Sequence, residues 1–289
     1  MNNILPAALG LLLCLGAPLH AQSKESVAHV SIQQIRNATL KVTYGGQVFL
    51  VDPMLARKGA YPGFEGTYRS HLRNPLVELP ESVESVLSGV DAVLVSHTHL
   101  DHWDDAAQQL IPKSLPLFVQ DDADAALLMK QGFKDVRVLT ADTTFNGVRI
   151  SKTGGRHGSE EMYAVPLVAE RLGATMGFVF QKPGAKTVYV AGDTVWESEV
   201  RTALKTFKPD VVVLNTGDAR LAGFNTGIIM GKEDTLRVHQ MSPSATIVAV
   251  HMDAVNHMSV SRHDLQDYVA QHAIQAHVLI PEDGEVINF

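Results

Sequence analysis

Short runs in which apolar and polar residues alternate open the chain after residue 26, and they predict strands over 27–35, 39–44 and 47–51. The last two are joined by Gly45-Gly46, and glycine enters the positive-φ conformations that a two-residue hairpin turn demands. Asp52-Pro53 ends this run of strands. Over 54–80 neither a strand period nor a helix period survives, and Tyr61, Phe64, Tyr68, Arg69, His71 and Arg73 mark a long loop, which is usually functional when ordered. A short helix from Glu81 then leads into 91–95, an apolar, β-branched run that reads as a buried strand. Further strands are expected at 117–120, 136–139, 148–152, 175–181, 187–191, 210–214, 246–250 and 277–280. Helices are expected at 106–110, 123–131, 197–207, 232–239 and 262–272. Hairpins first and strand–helix alternation afterwards point to an α/β fold with a two-sheet core covered by helices, not one doubly wound sheet.

The pattern is different at the very start. Residues 4–19 are apolar apart from glycines and prolines, and Leu19-His20-Ala21 is followed by the polar Gln22-Ser23-Lys24-Glu25. This reads as a secretory signal over 1–21 with cleavage after Ala21. About 16 apolar residues broken by Pro6 and Pro18 are short for a membrane span of roughly 20. Leu13 before Cys14 is too bulky for a lipoprotein signal, so no stable membrane anchor is expected. The expected location is the periplasm or the medium. Cys14 is the chain's one cysteine, so the mature chain from Gln22 would contain none and no internal disulfide can form.

Composition narrows the classes. With 289 residues, 45% hydrophobic and 19% charged, the chain is neither disordered nor collagen-like. No repeat or linker divides it, so 22–289 is expected to be one domain. The formal charge of −7 repels phosphate backbones, which makes nucleic acid an unfavourable partner and a small molecule the expected one.

Chemistry concentrates directly behind the 91–95 strand, in Ser96-His97-Thr98-His99-Leu100-Asp101-His102-Trp103-Asp104. Three histidines and an aspartate between 97 and 102 would be costly to bury unpaired, and a metal removes that cost. His97 and His99, two apart on an extended segment, can address one ion; Asp101 and His102, beyond a turn, can reach a second. Imidazole and carboxylate suit a borderline divalent cation. His29, His239, His272 and His277 have no clustered partners in the sequence and read as packing or exposed residues.

At H-x-H-x-D-H the chain resembles the metallo-β-lactamase superfamily, and within it the L-ascorbate-6-phosphate-lactonase-like branch of metal-dependent hydrolases. The resemblance implies an αββα sandwich of the metallo-β-lactamase type. It also implies that His97 and His99 bind a first metal and Asp101 and His102 a second. The family's further histidine matches His157 in the turn Thr153-Gly154-Gly155-Arg156-His157-Gly158, and its bridging carboxylate matches Asp193 in Tyr189-Val190-Ala191-Gly192-Asp193-Thr194. The last ligand matches His251 at the end of the 246–250 strand, with His257 as the rival. Asp52 is either a carboxylate supporting a ligand from behind or a plain strand-ending turn residue.

The implied function is a dinuclear metal-dependent hydrolase, with two zinc ions expected and manganese or iron admissible, acting through a metal-bridging hydroxide with Asp101 and Asp193 as the catalytic carboxylates. The expected substrate is a small ester, lactone or phosphodiester, a cyclic ester leading because of the branch. A true β-lactamase is not expected, because those enzymes generally lack a bridging carboxylate at the position of Asp193. A nucleic-acid phosphodiesterase and a non-catalytic metal-binding protein remain as alternatives. Arg156, Tyr163, Arg220 and the 54–80 loop are either candidates for substrate recognition or plain solvated loop residues.

Overall fold

The computed structural model of the chain describes residues 29–289 together with Met1. The signal sequence read over 1–21 therefore lies, Met1 apart, outside the described residues. The chain first lays down β1 (Val30–Arg36), β2 (Thr39–Tyr44), β3 (Gln47–Val51), β4 (Ala92–Leu94), β5 (Leu117–Val119) and β6 (Val136–Val138). It then builds β7 (Thr143–Phe145), β8 (Val148–Gly154), β9 (Met176–Gln181), β10 (Val188–Val190), β11 (Val211–Asn215), β12 (Thr246–Val250) and β13 (Val278–Leu279). Finally β14 (Val286–Asn288) returns to pair with β1, so each sheet has seven strands. The helices are α1 (Val83–Leu87), α2 (Asp105–Leu110), α3 (Asp122–Lys130), α4 (Glu160–Tyr163), α5 (Pro166–Leu172), α6 (Ser198–Phe207), α7 (Lys232–Met241) and α8 (Arg262–Gln271).

Period-two side-chain alternation decides how the layers stack. In β10, Val188 and Val190 point between the sheets while Tyr189 points out; in β11, Val211 and Val213 point in, and Val212 and Leu214 out. The inward set meets Leu40, Val42, Tyr44 and Phe49 of the first sheet. The outward set packs on Val200, Leu204, Val238 and Leu265 of α6, α7 and α8. On the other side, Leu50, Val93 and Leu117 pack on Val86, Ala107 and Leu128 of α1, α2 and α3. Strands covered on both faces read as unbroken apolar runs. The result is the expected αββα sandwich.

Strand direction then fixes where the chemistry can sit. Each sheet begins antiparallel (β1 to β3, β7 to β10) and finishes parallel (β3 to β6, β10 to β13). The C-terminal ends of β3 and β4 therefore share one edge of the first sheet. Those of β8, β10, β11 and β12 share one edge of the second. The strand ends and turns on these edges carry Asp52, His97 to His102, His157, Asp193, Asn215 and His251.

The expected elements are recovered within a few residues at their ends, and four others appear that the pattern does not announce. In α4 and α5 the buried side chains are Met162 and Leu172, too sparse for an apolar stripe. Strands β7 and β14 are three residues each. The 54–80 segment is irregular, as expected, yet it is tied down. Arg36, fully buried, donates to the carbonyls of Met54 (2.7 Å), Ala56 (2.9 Å) and Val77 (3.1 Å). No helix among the described residues is long and apolar enough to cross a membrane.

Candidate metal centre

Three groups of donor atoms lie along the shared edge, each group within 4.8 Å: His97, His99 and His157; His97, His102 and Asp193; Asp101, His102 and His251. The seven residues singled out in the sequence thus converge, and all but His99 are buried. His257, the rival to His251, belongs to none of these groups. Asp193 sits where they join: Oδ2 is 3.1 Å from His102 Nε2 and 3.7 Å from His157 Nε2, and Oδ1 is 3.4 Å from His251 Nε2. Asp101 Oδ2 is 3.6 Å from His251 Nε2 and 3.8 Å from His102 Nε2.

The backbone is shaped to allow this. Gly192 has φ +68°, and a Cβ there would lie 2.4 Å from the Met176 carbonyl oxygen, so the turn that delivers Asp193 requires glycine. His251 and Asp52 adopt positive φ (62° and 44°) without being glycine, a strained geometry that accumulates at functional sites. Asp104 closes the histidine turn by capping α2: its carboxylate accepts from Ala107 N (2.7 Å) and from Ala56 N (2.8 Å), which joins the turn to the long loop.

Hydrogen-bond partners on the far side of each ring assign the tautomers. His102 Nδ1 donates to Asp52 Oδ2 (2.9 Å), His157 Nδ1 to the Ile228 carbonyl (2.9 Å), and His99 Nε2 to the Arg171 carbonyl (2.9 Å). Ser96 Oγ donates to Asp52 Oδ2 (2.7 Å), so it accepts from His97 Nδ1 (3.1 Å). The His97, His99 and His157 rings therefore turn an unprotonated nitrogen toward their neighbours. His97 Nε2 and His99 Nδ1 face each other at 3.0 Å, and two lone pairs at that distance repel unless a cation lies against both. Asn215 Nδ2 holds Asp193 Oδ1 at 2.6 Å.

Electrostatics agrees. Burial pushes the His97 and His157 imidazoles down, and His99 to about 4, so these rings are neutral and free to ligate at neutral pH. At His102 burial opposes the charge, but the carboxylates of Asp193, Asp101 and Asp52 overcome it and raise the imidazole well above its usual value. Burial likewise opposes ionisation of Asp193, and His102 and His251 outweigh it and hold that carboxyl well below the usual range. Buried carboxylates with nitrogen donors at this density are the donor set of a divalent cation centre, and the residues fit such ions.

Above the donors opens a cavity of about 250 Å³. Phe64, Leu100, Leu172, Leu221 and Ile228 form its apolar wall; Thr67, Arg171 and His257 add polar groups. Three of the recognition candidates lie outside it. Arg156 pairs with Glu197, Tyr163 donates to the Gly173 carbonyl, and Arg220 pairs with Asp218, and none of them lines this cavity. The long loop does contribute, through Phe64 and Thr67. His239 and His277 are not partnerless either: their rings lie 4.8 Å apart. Sequence reasoning missed Ser96, Asn215 and the cavity side of His257. A polar residue closing an apolar strand was the available signal for Asn215.

Residues 47–252 match the family described as the beta-lactamase superfamily domain. The UPF0173 protein YddR of Bacillus subtilis (strain 168) is 45% identical over 260 residues, covering 90% of this chain and 100% of YddR. Among solved structures, a possible metal-dependent hydrolase from Veillonella parvula DSM 2008 is 49% identical with a TM-score of 0.89, covering 91% of this chain and 100% of that one. An isothiocyanate hydrolase from Delia radicum gut bacteria is 50% identical with a TM-score of 0.87, covering 90% of this chain and 99% of that one.

Proposed function

The chain belongs to the beta-lactamase superfamily domain family and is a metal-dependent hydrolase of that fold, and on this premise we propose that it uses two divalent ions to hydrolyse a small, uncharged electrophile with an apolar substituent, an isothiocyanate first among them. The carrying observation is the join of the donor groups at Asp193 beneath an apolar-walled cavity. His97, His99 and His157 would hold one ion, Asp101, His102 and His251 the other, and Asp193 both. Bound there, the ions would lower the pKa of water to make hydroxide available near neutral pH and would polarise the electrophile.

The chain's own residues do the rest. Asp52 and Ser96 fix the His102 and His97 rings in the ligating tautomer, and Asn215 fixes the Asp193 carboxylate. The apolar wall excludes bulk water and receives the substituent. A cavity of about 150 Å³ holds a benzene, so the volume of about 250 Å³ suits an arene carrying a three-atom N=C=S group. Hydrolysis of that group forms a C–O bond at the central carbon and breaks the C–N bond, so that R–NCS and one water give R–NH2 and carbonyl sulfide. The likeness to the isothiocyanate hydrolase supports this substrate over the ester or lactone suggested by the branch resemblance. An apolar wall with Arg171 as its one cation disfavours a phosphodiester or nucleic acid. Zinc is the proposed metal, the all-nitrogen and oxygen donor set leaving manganese and iron admissible. Export to the periplasm belongs to the same proposal, supported by the apolar run over 4–19.

The test is turnover of benzyl isothiocyanate, a simple lactone and bis(p-nitrophenyl) phosphate by zinc-loaded protein, with cell fractionation for location. Benzyl isothiocyanate should be consumed at least about 100-fold faster than the other two, a margin of roughly 2.7 kcal/mol in transition-state stabilisation. Preferred hydrolysis of the lactone would return the substrate to the ester class.

A further inference from the structure

One imidazole lining the cavity belongs to none of the three donor groups. His257 is 5% exposed and lines the cavity, its buried Nδ1 has no hydrogen-bond partner among the described residues, and Phe64 meets its ring edge-on at 4.9 Å. Leaving a buried polar atom unpaired is costly, so such an atom is rarely left so without a ligand to meet. Burial pushes its pKa down to about 4 against the pull of Asp101, so the ring is neutral at pH 7 and carries one N–H.

The residues on either side are, by contrast, held by an unusually complete set of bonds. Arg69 brackets the position: Nε donates to the Asn256 carbonyl (3.1 Å) and Nη2 to the Met258 carbonyl (2.7 Å). Asn256 Oδ1 accepts from Phe64 N (2.9 Å) and Asn74 Nδ2 (2.8 Å). Its Nδ2 donates to Thr67 Oγ1 (2.8 Å) and to the Tyr68 carbonyl (2.7 Å), and its backbone N donates to Asn74 Oδ1 (2.8 Å). Arg69 itself holds φ +50°, a conformation an arginine adopts only under constraint. Much of the polar bonding of the long loop is thus spent on immobilising the backbone around one unpaired ring. Holding a side chain from behind while leaving its face free is how a protein preorganises a group for a ligand.

We infer that His257 is a catalytic residue that contacts the substrate, donating a hydrogen bond to the heteroatom on which charge accumulates when hydroxide adds, and that Arg69 and Asn256 are its positioning residues. As the C–O bond forms at the carbon of R–N=C=S, a π electron pair moves onto nitrogen or sulfur, and the imidazole N–H meets that charge. The inference rests on the isothiocyanate reading for its substrate and on the cavity geometry for its residue.

The experiment uses the zinc-loaded full chain with the variants His257→Phe, His257→Gln and Arg69→Met. It reads zinc content, kcat and KM for benzyl isothiocyanate, and calorimetric affinity for O-methyl N-benzylthiocarbamate, a mimic of the addition product. His257→Phe should keep its zinc and lose at least about thirtyfold in kcat with KM within about threefold, and His257→Gln, which retains an N–H donor, should recover about fivefold. Arg69→Met should lose about tenfold alone and nothing further on top of His257→Phe, the non-additivity of two residues acting through one group. The mimic should bind His257→Phe about tenfold more weakly than wild type. Unchanged kcat and unchanged mimic affinity in His257→Phe would overturn the inference, as would loss of zinc, which would make His257 a ligand. A wild type inert toward isothiocyanates whose mimic binding still depends on His257 would overturn the substrate reading and leave the residue assignment standing.

Discussion

Asp193 is the side chain most central to the site, because its two oxygens face histidines from all three donor groups. Asp193→Asn keeps the size and removes the charge that both ions would share. It should lower kcat/KM by at least about 100-fold, roughly 2.7 kcal/mol, while the fold survives, checked by steady-state kinetics beside circular dichroism. Near-normal turnover with full metal content would refute the bridging role. His239→Gln is the contrast. Its ring lies 4.8 Å from that of His277 and belongs to none of the donor groups, and the variant should retain wild-type metal content on elemental analysis. Asp52, which the sequence left open between support and simple turn, supports two rings in the structure through His102 Nδ1 and Ser96 Oγ. Asp52→Ala should therefore weaken metal affinity by about 10–100-fold in a chelator competition assay.

Among the elements, strands buried on both faces were legible because their apolar runs are continuous, as in β10, β11 and β12. The turns behind them were legible because histidines and aspartates stand directly after such runs. What the sequence did not disclose depends on distant partners. Strand β14 exists by pairing with β1 at the other end of the chain, and α5 keeps Leu167 79% exposed, so neither shows a pattern of its own. Likewise the Arg69–Asn256 bond spans 187 residues and the Arg156–Glu197 pair 41, which no local spacing could announce. The Gly192 turn makes an element-level prediction. Gly192→Ala adds a Cβ 2.4 Å from the Met176 carbonyl oxygen at φ +68°, and should cost about 2 kcal/mol in urea unfolding besides displacing Asp193.

At the scale of the whole molecule, the sandwich gathers buried carboxylates and imidazoles on one edge, so the ions and the folded state should stabilise each other. Metal at about 1,000 times its Kd would add roughly 4 kcal/mol, so chelation should lower Tm by several degrees without abolishing the fold. Binding should also release protons at pH 7. His102, raised well above 6.5 chiefly by Asp193 against the opposing effect of burial, carries a proton that an arriving cation must expel, whereas His97, His99 and His157, lowered by burial, have none to lose. Calorimetric heats of zinc binding should therefore change with the ionisation enthalpy of the buffer; buffer-independent heats would contradict that proton inventory. The most direct test of the shared carboxylate is an anomalous difference map from zinc-loaded crystals. Two peaks about 3.5–4 Å apart, each about 2.0–2.2 Å from an oxygen of Asp193, are the predicted result, and a single peak, or two peaks of which Asp193 touches one or neither, would contradict it.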